Sequence, residues 1–125
     1  MDTKKNSTIT SFTKLIAWQQ AHKLAILIYQ ITERFPGSEK YSLIDQMRRS
    51  VVSISSNIAE GFSRQTKKEK VQFYFIGKGS LTELQNQLLL ARDIGYIKYE
   101  EFKIIAELTV IVGKLIHGLI KSMKA

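Results

Sequence analysis

The sequence predicts an all-α protein, an antiparallel up-down-up-down four-helix bundle. Four long segments repeat apolar residues at the alternating 3-4 spacing of a helix seam. No segment with strand period competes with them, and the connections between them are short, which favours antiparallel neighbours. A chain of 125 residues suits one domain with one filled core. We expect residues 12–125 to form that domain and the polar residues 1–11 to be a flexible N-terminal segment.

The first segment runs from about Phe12 to Phe35, with Ala17, Ala21, Leu24, Ile28, Ile31 and Phe35 on one seam. Its alanines admit a close neighbour at one end. Pro36-Gly37-Ser38 then stops the helix, because proline is disfavoured inside it and glycine turns readily. The second segment, about Glu39 to Arg64, places Ile44, Met47, Val51, Ile54 and Ile58 on its apolar seam. A separate face carries Gln46, Ser50, Ser53, Asn57 and Glu60, which suits either a wet surface or tight hydrogen-bonded packing. Gly61 and the polar run after it end this helix, and Ser63 or Thr66 is positioned to cap the next.

The third segment spans about Lys67 to Ile94, with Tyr74, Gly77, Leu81, Leu84, Leu88 and Ala91 on its seam. Phe73, Ile76 and Leu89 widen that stripe, and Gly95 suits a C-terminal stop. The fourth begins near Tyr99 and keeps the rhythm through Phe102, Ile105, Thr109, Val112, Ile116, Leu119 and Met123. Ile104, Leu108, Ile111 and Leu115 add a second apolar row. That surplus fits either a wide core stripe or an oligomer interface.

Composition removes several function classes. There is no cysteine, hence no disulfide, thiolate nucleophile or Cys-ligated metal, which suits a reducing cytosol and a cytoplasmic protein. Residues 1–11 lack the apolar core of a secretory signal, and the most apolar stretch, Leu108 to Ile120, is interrupted by Lys114 and His117. No membrane span is expected. A net charge of +8 favours a polyanionic partner, although many small basic proteins carry such charge only to stay in solution.

Catalytic and metal chemistry find little support. The histidines are His22 and His117, and the residues three before them are Gln19 and Lys114, so no Glu-x-x-His pair of a di-metal bundle exists. Gly77-Lys78-Gly79-Ser80 lacks the upstream glycine and strand of a phosphate-binding loop; close helix approach or a kink explains its glycines better. No serine stands beside a candidate base. We therefore expect no enzyme activity, no metal and no cofactor.

The cations are more informative. Arg64, Lys67, Lys68, Lys70 and Lys78 fall in one short window broken by Glu69, with Arg48 and Arg49 inside the second helix and Lys14 and Lys23 on the first. Positive charge at a helix N-terminus opposes the macrodipole, so a bound phosphate would account for the crowding; a solvated connection is the plain alternative. Phe73 and Tyr74 are better read as core than as base-stacking platforms.

One set of residues is more specific than its periodicity. It comprises Gln46-Met47-Arg48-Arg49-Ser50, Ser53-Ile54, Asn57-Ile58-Ala59-Glu60-Gly61 and Gly79-Ser80-Leu81 with Glu83-Leu84, preceded by Trp18, Ala21, Tyr29, Thr32 and Phe35-Pro36. Together these resemble the four-helix-bundle family of large-subunit ribosomal RNA intervening-sequence proteins, to which the accessory variability protein of diversity-generating retroelements is related. The resemblance implies a homopentameric assembly with a basic surface, and a partner that is RNA or DNA, or a reverse transcriptase. It also marks Asn57, Glu60 and Gly61 as motif positions. These serve either a contact surface or, the preferred reading, a buried or interfacial hydrogen-bonded pair, with Gly61 admitting a close neighbour and Arg48 or Arg49 available to a buried glutamate.

The leading expectation is a non-enzymatic oligomer that binds nucleic acid through phosphate contacts from Arg48, Arg49, Arg64, Lys67, Lys68, Lys70 and Lys78. The alternative is a protein-interaction scaffold that uses the second apolar row of the last helix.

Overall fold

A computed structural model describes residues 8–40 and 42–124 of the chain. Helix α1 spans Ile16–Thr32, α2 Leu43–Ser63, α3 Lys67–Asp93 and α4 Tyr99–Lys124; a 3-10 turn, Gly37–Glu39, lies between α1 and α2. Each helix packs against its sequence neighbours and α4 closes on α1, giving a four-helix ring around one core. Cross-helix pairs fix the antiparallel sense. Arg48 near the start of α2 meets Thr32 at the end of α1, Ser53 meets Ser80, Gln85 meets Thr109, and Arg34 just past α1 meets Glu101 at the start of α4. Residues 1–7, within the segment expected to be flexible, lie outside the described residues.

The termini of the helices follow from local chemistry. Helix α1 starts at Ile16 and not at Phe12; the Thr13 hydroxyl donates to the Ile9 carbonyl, and Phe12 packs edge-on against Trp18 at 5.3 Å. Its last turn tightens through i→i−3 bonds from Arg34 and Phe35, since the residue before Pro36 is pushed out of helical geometry. Thr66 caps α3 by accepting from the Glu69 N–H at 3.1 Å, which offsets one orphan donor. Gly95, at φ +88°, closes the same helix: Tyr96 N–H donates to Ala91 and Gly95 N–H to Arg92, the paired bonds of a Schellman turn.

The predicted seams are the core. Ala17, Ala21, Leu24, Ile28, Met47, Val51, Ile54, Ile58, Tyr74, Leu84, Leu88, Val112 and Ile116 are all buried. One expectation needs correction, and one open alternative narrows. Ile76 and Leu89 are exposed and do not widen the α3 stripe. In the second row of α4, Leu108 is buried and Leu115 half-buried, whereas Ile104 and Ile111 are 62% and 47% exposed. A ring of four needs one stripe per helix, and positions 104 and 111 lie beyond its reach.

Candidate nucleic-acid interface

The contact of α2 with α3 is built from small and polar residues. Ser53 and Ser80 share a hydrogen bond of 2.7 Å between their hydroxyls, and the Asn57 amide donates to the Ser53 carbonyl and hydroxyl at 2.8 and 3.0 Å. Gly77 lies against Asn57, where an added Cβ would stand 3.4 Å from the Asn57 Cβ. The polar face of α2 is thus a tight hydrogen-bonded helix contact at Ser53 and Asn57, with Ser50 buried beside it and Gln46 and Glu60 at its exposed ends.

Gly61 is buried against the Tyr74 ring, which accounts for its lack of a side chain. Glu60 departs from the preferred reading. It is exposed and pairs with Arg64 at 2.7 Å, one helical turn on, and not with Arg48 or Arg49. An i,i+4 partner is within reach with no helix to cross, so the glutamate stays in water and escapes the cost of burial.

The predicted cations separate into committed and uncommitted groups. Arg48 is committed to the α1–α2 contact: Nε donates to Thr32 Oγ1 at 2.9 Å, and its terminal nitrogen reaches the Tyr29 carbonyl at 3.3 Å and Glu33 at 3.5 Å. Its guanidinium also lies 4.5 Å from the Tyr29 ring centre. Arg64 stacks on Phe73 at 4.6 Å while paired to Glu60. Lys70 donates to the Phe62 carbonyl at 2.6 Å, at the C-terminus of α2, where a cation complements the helix dipole. That bond supplies an intramolecular reason for one cation at the head of α3. Arg49 pairs with Asp45 at 3.1 Å but remains exposed. Lys67, Lys68 and Lys78 are exposed, and their ammonium groups have no hydrogen bond or ion pair among the described residues.

The fold adds an arrangement that linear order hides. Consider a cut across the bundle near Leu24, Ser53, Ser80 and Val112. On the side of the α2–α3 connection, the described carboxylates are Glu60 and Glu69. The cations there are Lys14, Lys23, Arg64, Lys67, Lys68, Lys70, Lys78, Lys114, Lys121 and Lys124. On the other side Glu33, Glu39, Asp45, Glu83, Asp93, Glu100, Glu101 and Glu107 balance Arg34, Lys40, Arg48, Arg49, Arg92, Lys98 and Lys103. The excess positive charge of the described residues therefore sits on one half of the bundle, a distribution that creates a strong local field.

A sequence model of the 23S rRNA-intervening sequence protein family matches residues 13–118, from the start of the bundle to the last turns of α4. The chain belongs to that family. No curated protein matches it. Among solved structures, this intervening-sequence protein is similar to a protein of unknown function from the S23 ribosomal protein family of Bacteroides thetaiotaomicron. The TM-score is 0.79 at 22% identity, covering 85% of this chain and 99% of the other, a likeness of fold.

In this intervening-sequence protein the cations of α4 complete the basic half, and sequence reasoning passed over them. Lys114, Lys121 and Lys124, with the His117 imidazole between them, recur at 3-4-3 spacing on one face of a helix, and that spacing was the available signal. Apolar rows on the same helix masked it. Among the described residues, no group of three or more His, Asp or Glu side chains is gathered to hold a metal ion, and no helix is long and apolar enough to cross a membrane.

Proposed function

We propose that this protein is a non-enzymatic, oligomeric accessory subunit that binds RNA or DNA through phosphate contacts made by the basic half of its bundle. One observation carries the reading: uncompensated lysines are concentrated on one half, while the other half is nearly neutral. Within that half Lys67, Lys68 and Lys78 supply free ammonium groups, and Arg64 and Lys70 add positive potential while holding the α2–α3 connection. Recognition of this kind is electrostatic and indifferent to base sequence, because phosphates are met by point charges with no base-reading geometry. Family membership supports an RNA-related setting only through the family's name. A homopentamer and a cytoplasmic location belong to the same proposal.

The test is light scattering coupled to size exclusion, with and without a short generic RNA, at two salt concentrations. A salt-sensitive shift of an oligomer onto RNA is the expected result. Binding that stays flat between low and physiological salt would count against a phosphate mechanism.

The exposed Ile104 and Ile111 favour a second reading, a scaffold that docks a protein such as a reverse transcriptase through the outer face of α4. Charge reversal at Lys67 and Lys68 separates the two. It removes nucleic-acid binding under the first reading and leaves an apolar protein contact intact under the second.

A further inference from the structure

The groove between α3 and α4 carries two lysines and a histidine in a cluster distinct from the α2–α3 connection. Lys78 on one wall and Lys114 and His117 on the other line a single open cavity of about 380 Å³, with Leu81 and Val110 supplying apolar surface. Gly113 forms part of this lining; an added Cβ there would stand 3.3 Å from Leu81 Cδ2. The polar groups deeper in the groove are already used: Gln85 donates to the Thr109 hydroxyl at 3.0 Å, and that hydroxyl donates to the Ala106 carbonyl at 2.6 Å.

Lys78, Lys114 and His117 differ from those groups. All three are exposed, and their side chains have no hydrogen bond or ion pair among the described residues. No carboxylate lines the groove, and Glu83, the acidic residue nearest Lys78 along α3, lines the cleft on the α2 side instead. Two ammonium groups on facing walls repel each other until an anion comes between them. Apolar surface beside such a pair suits a ligand that is charged on one side and flat on the other.

We propose that this groove seats the phosphodiester backbone of a single nucleic-acid strand. Lys78 and Lys114 donate to non-bridging phosphate oxygens from opposite walls, His117 supplies a third donor, and a sugar or base lies along the exposed Val110. The proposal rests on the nucleic-acid reading above and deepens it by assigning a track and a strandedness. Packed helix axes lie about 8–10 Å apart, so the trough between them admits one strand and not a duplex. Lys121 and Lys124 continue the same face of α4 toward the basic end, where Lys67 and Lys68 stand at the head of α3.

The test is fluorescence anisotropy with a labelled single-stranded RNA of about 12 nucleotides, within the ~4–16-nucleotide footprint of strand-binding domains, titrated across a salt series. The proteins compared are the wild-type chain, Lys78→Gln/Lys114→Gln, and Lys67→Gln/Lys68→Gln. Glutamine at exposed helical sites preserves helix propensity, and circular dichroism checks the fold. With two phosphate contacts removed, the groove variant should lower the magnitude of the slope of log K against log salt by about 1.4, at ~0.7 per contact for single strands. Unlabelled duplex of the same length should compete poorly. Three outcomes overturn the proposal. An unchanged slope in the groove variant, with binding weakened by the Lys67/Lys68 pair, sinks the groove and leaves the nucleic-acid reading standing. A duplex that competes as well as the strand removes the strandedness. No binding by the wild-type chain at any salt removes the nucleic-acid reading and the groove with it.

Discussion

Gly61 on α2 faces Tyr74 on α3 so closely that a Cβ built on the glycine would stand 2.6 Å from the ring's Cε1 and 2.9 Å from its Cδ1. The ring is 1% exposed and cannot swing away, so the two helices would have to part. Gly61→Ala should therefore destabilise the bundle by about 1–3 kcal/mol despite alanine's better helix propensity. Thermal unfolding followed by circular dichroism checks this; a melting temperature equal to or above wild type would show that Tyr74 yields freely.

Gly79 is the opposite case on the next helix. It is exposed, and a Cβ added there meets no atom within 4 Å. Gly79→Ala should stabilise the chain by up to about 1 kcal/mol through the lower backbone entropy of the unfolded state. Paired denaturant curves for the two alanine variants, displaced in opposite directions from wild type, would separate steric need from mere occurrence of glycine.

Arg48 is a fastener of α1 to α2, with its guanidinium shared among Thr32, Tyr29 and Glu33. Arg48→Ala removes the donor to the buried Thr32 hydroxyl, which keeps its own bond to the Ile28 carbonyl, and frees the Tyr29 carbonyl as well; it should cost about 1–2 kcal/mol. Arg48→Lys should recover little of this, since an ammonium group cannot reproduce the guanidinium fork. The salt dependence of nucleic-acid binding should stay at its wild-type slope in both variants. A slope reduced as far as in Lys67→Gln/Lys68→Gln would return Arg48 to the phosphate-binding set.

Most of the fold was legible because a helix seam is a local pattern: each 3-4 row from Ala17 to Met123 names the face its helix buries. The site was less so. Whether Arg48 is free or fastened depends on Tyr29 and Thr32 of α1 and on Glu33 just past its end. Lys70 looked misplaced at the head of α3 until the carbonyl end of α2 arrived beside it. The polarity of charge is likewise a product of the antiparallel turn-backs, which bring Lys114, Lys121 and Lys124 to the same half of the bundle as Lys67 and Lys78 after more than a helix of intervening sequence. Ile104 and Ile111 expose the limit of periodicity from another side: the row is regular, but the ring of four helices decides how much of it is covered.

The end of the bundle away from the basic connection is tied by carboxylates, and its stability should therefore depend on pH. The Tyr96 hydroxyl, from the α3–α4 connection, donates to Glu39 Oε2 at 2.8 Å, and the Ser42 hydroxyl donates to the other carboxylate oxygen, with the Leu43 N–H at 3.4 Å. The Ser42 and Tyr96 hydroxyls and the Leu43 N–H hold the Glu39 carboxyl below its ordinary value, and the Arg34 guanidinium does the same for Glu101. A carboxyl with a depressed folded value stabilises the native state fully above its unfolded value, near 4.3, and loses that contribution as pH falls through the folded value. Tyr96 is the alkaline counterpart: its hydrogen bond to Glu39 raises it, so its contribution is present below its unfolded value and fades as pH rises past the folded one. Tyr96→Phe should accordingly lower the melting temperature near neutral pH and reduce its dependence on pH at both limbs, while leaving binding at the opposite, basic half unchanged. Melting curves from pH 3 to 11 test this; acid and alkaline limbs as steep as those of wild type would mean that the Glu39–Tyr96 bond does not tie the two connections together in solution.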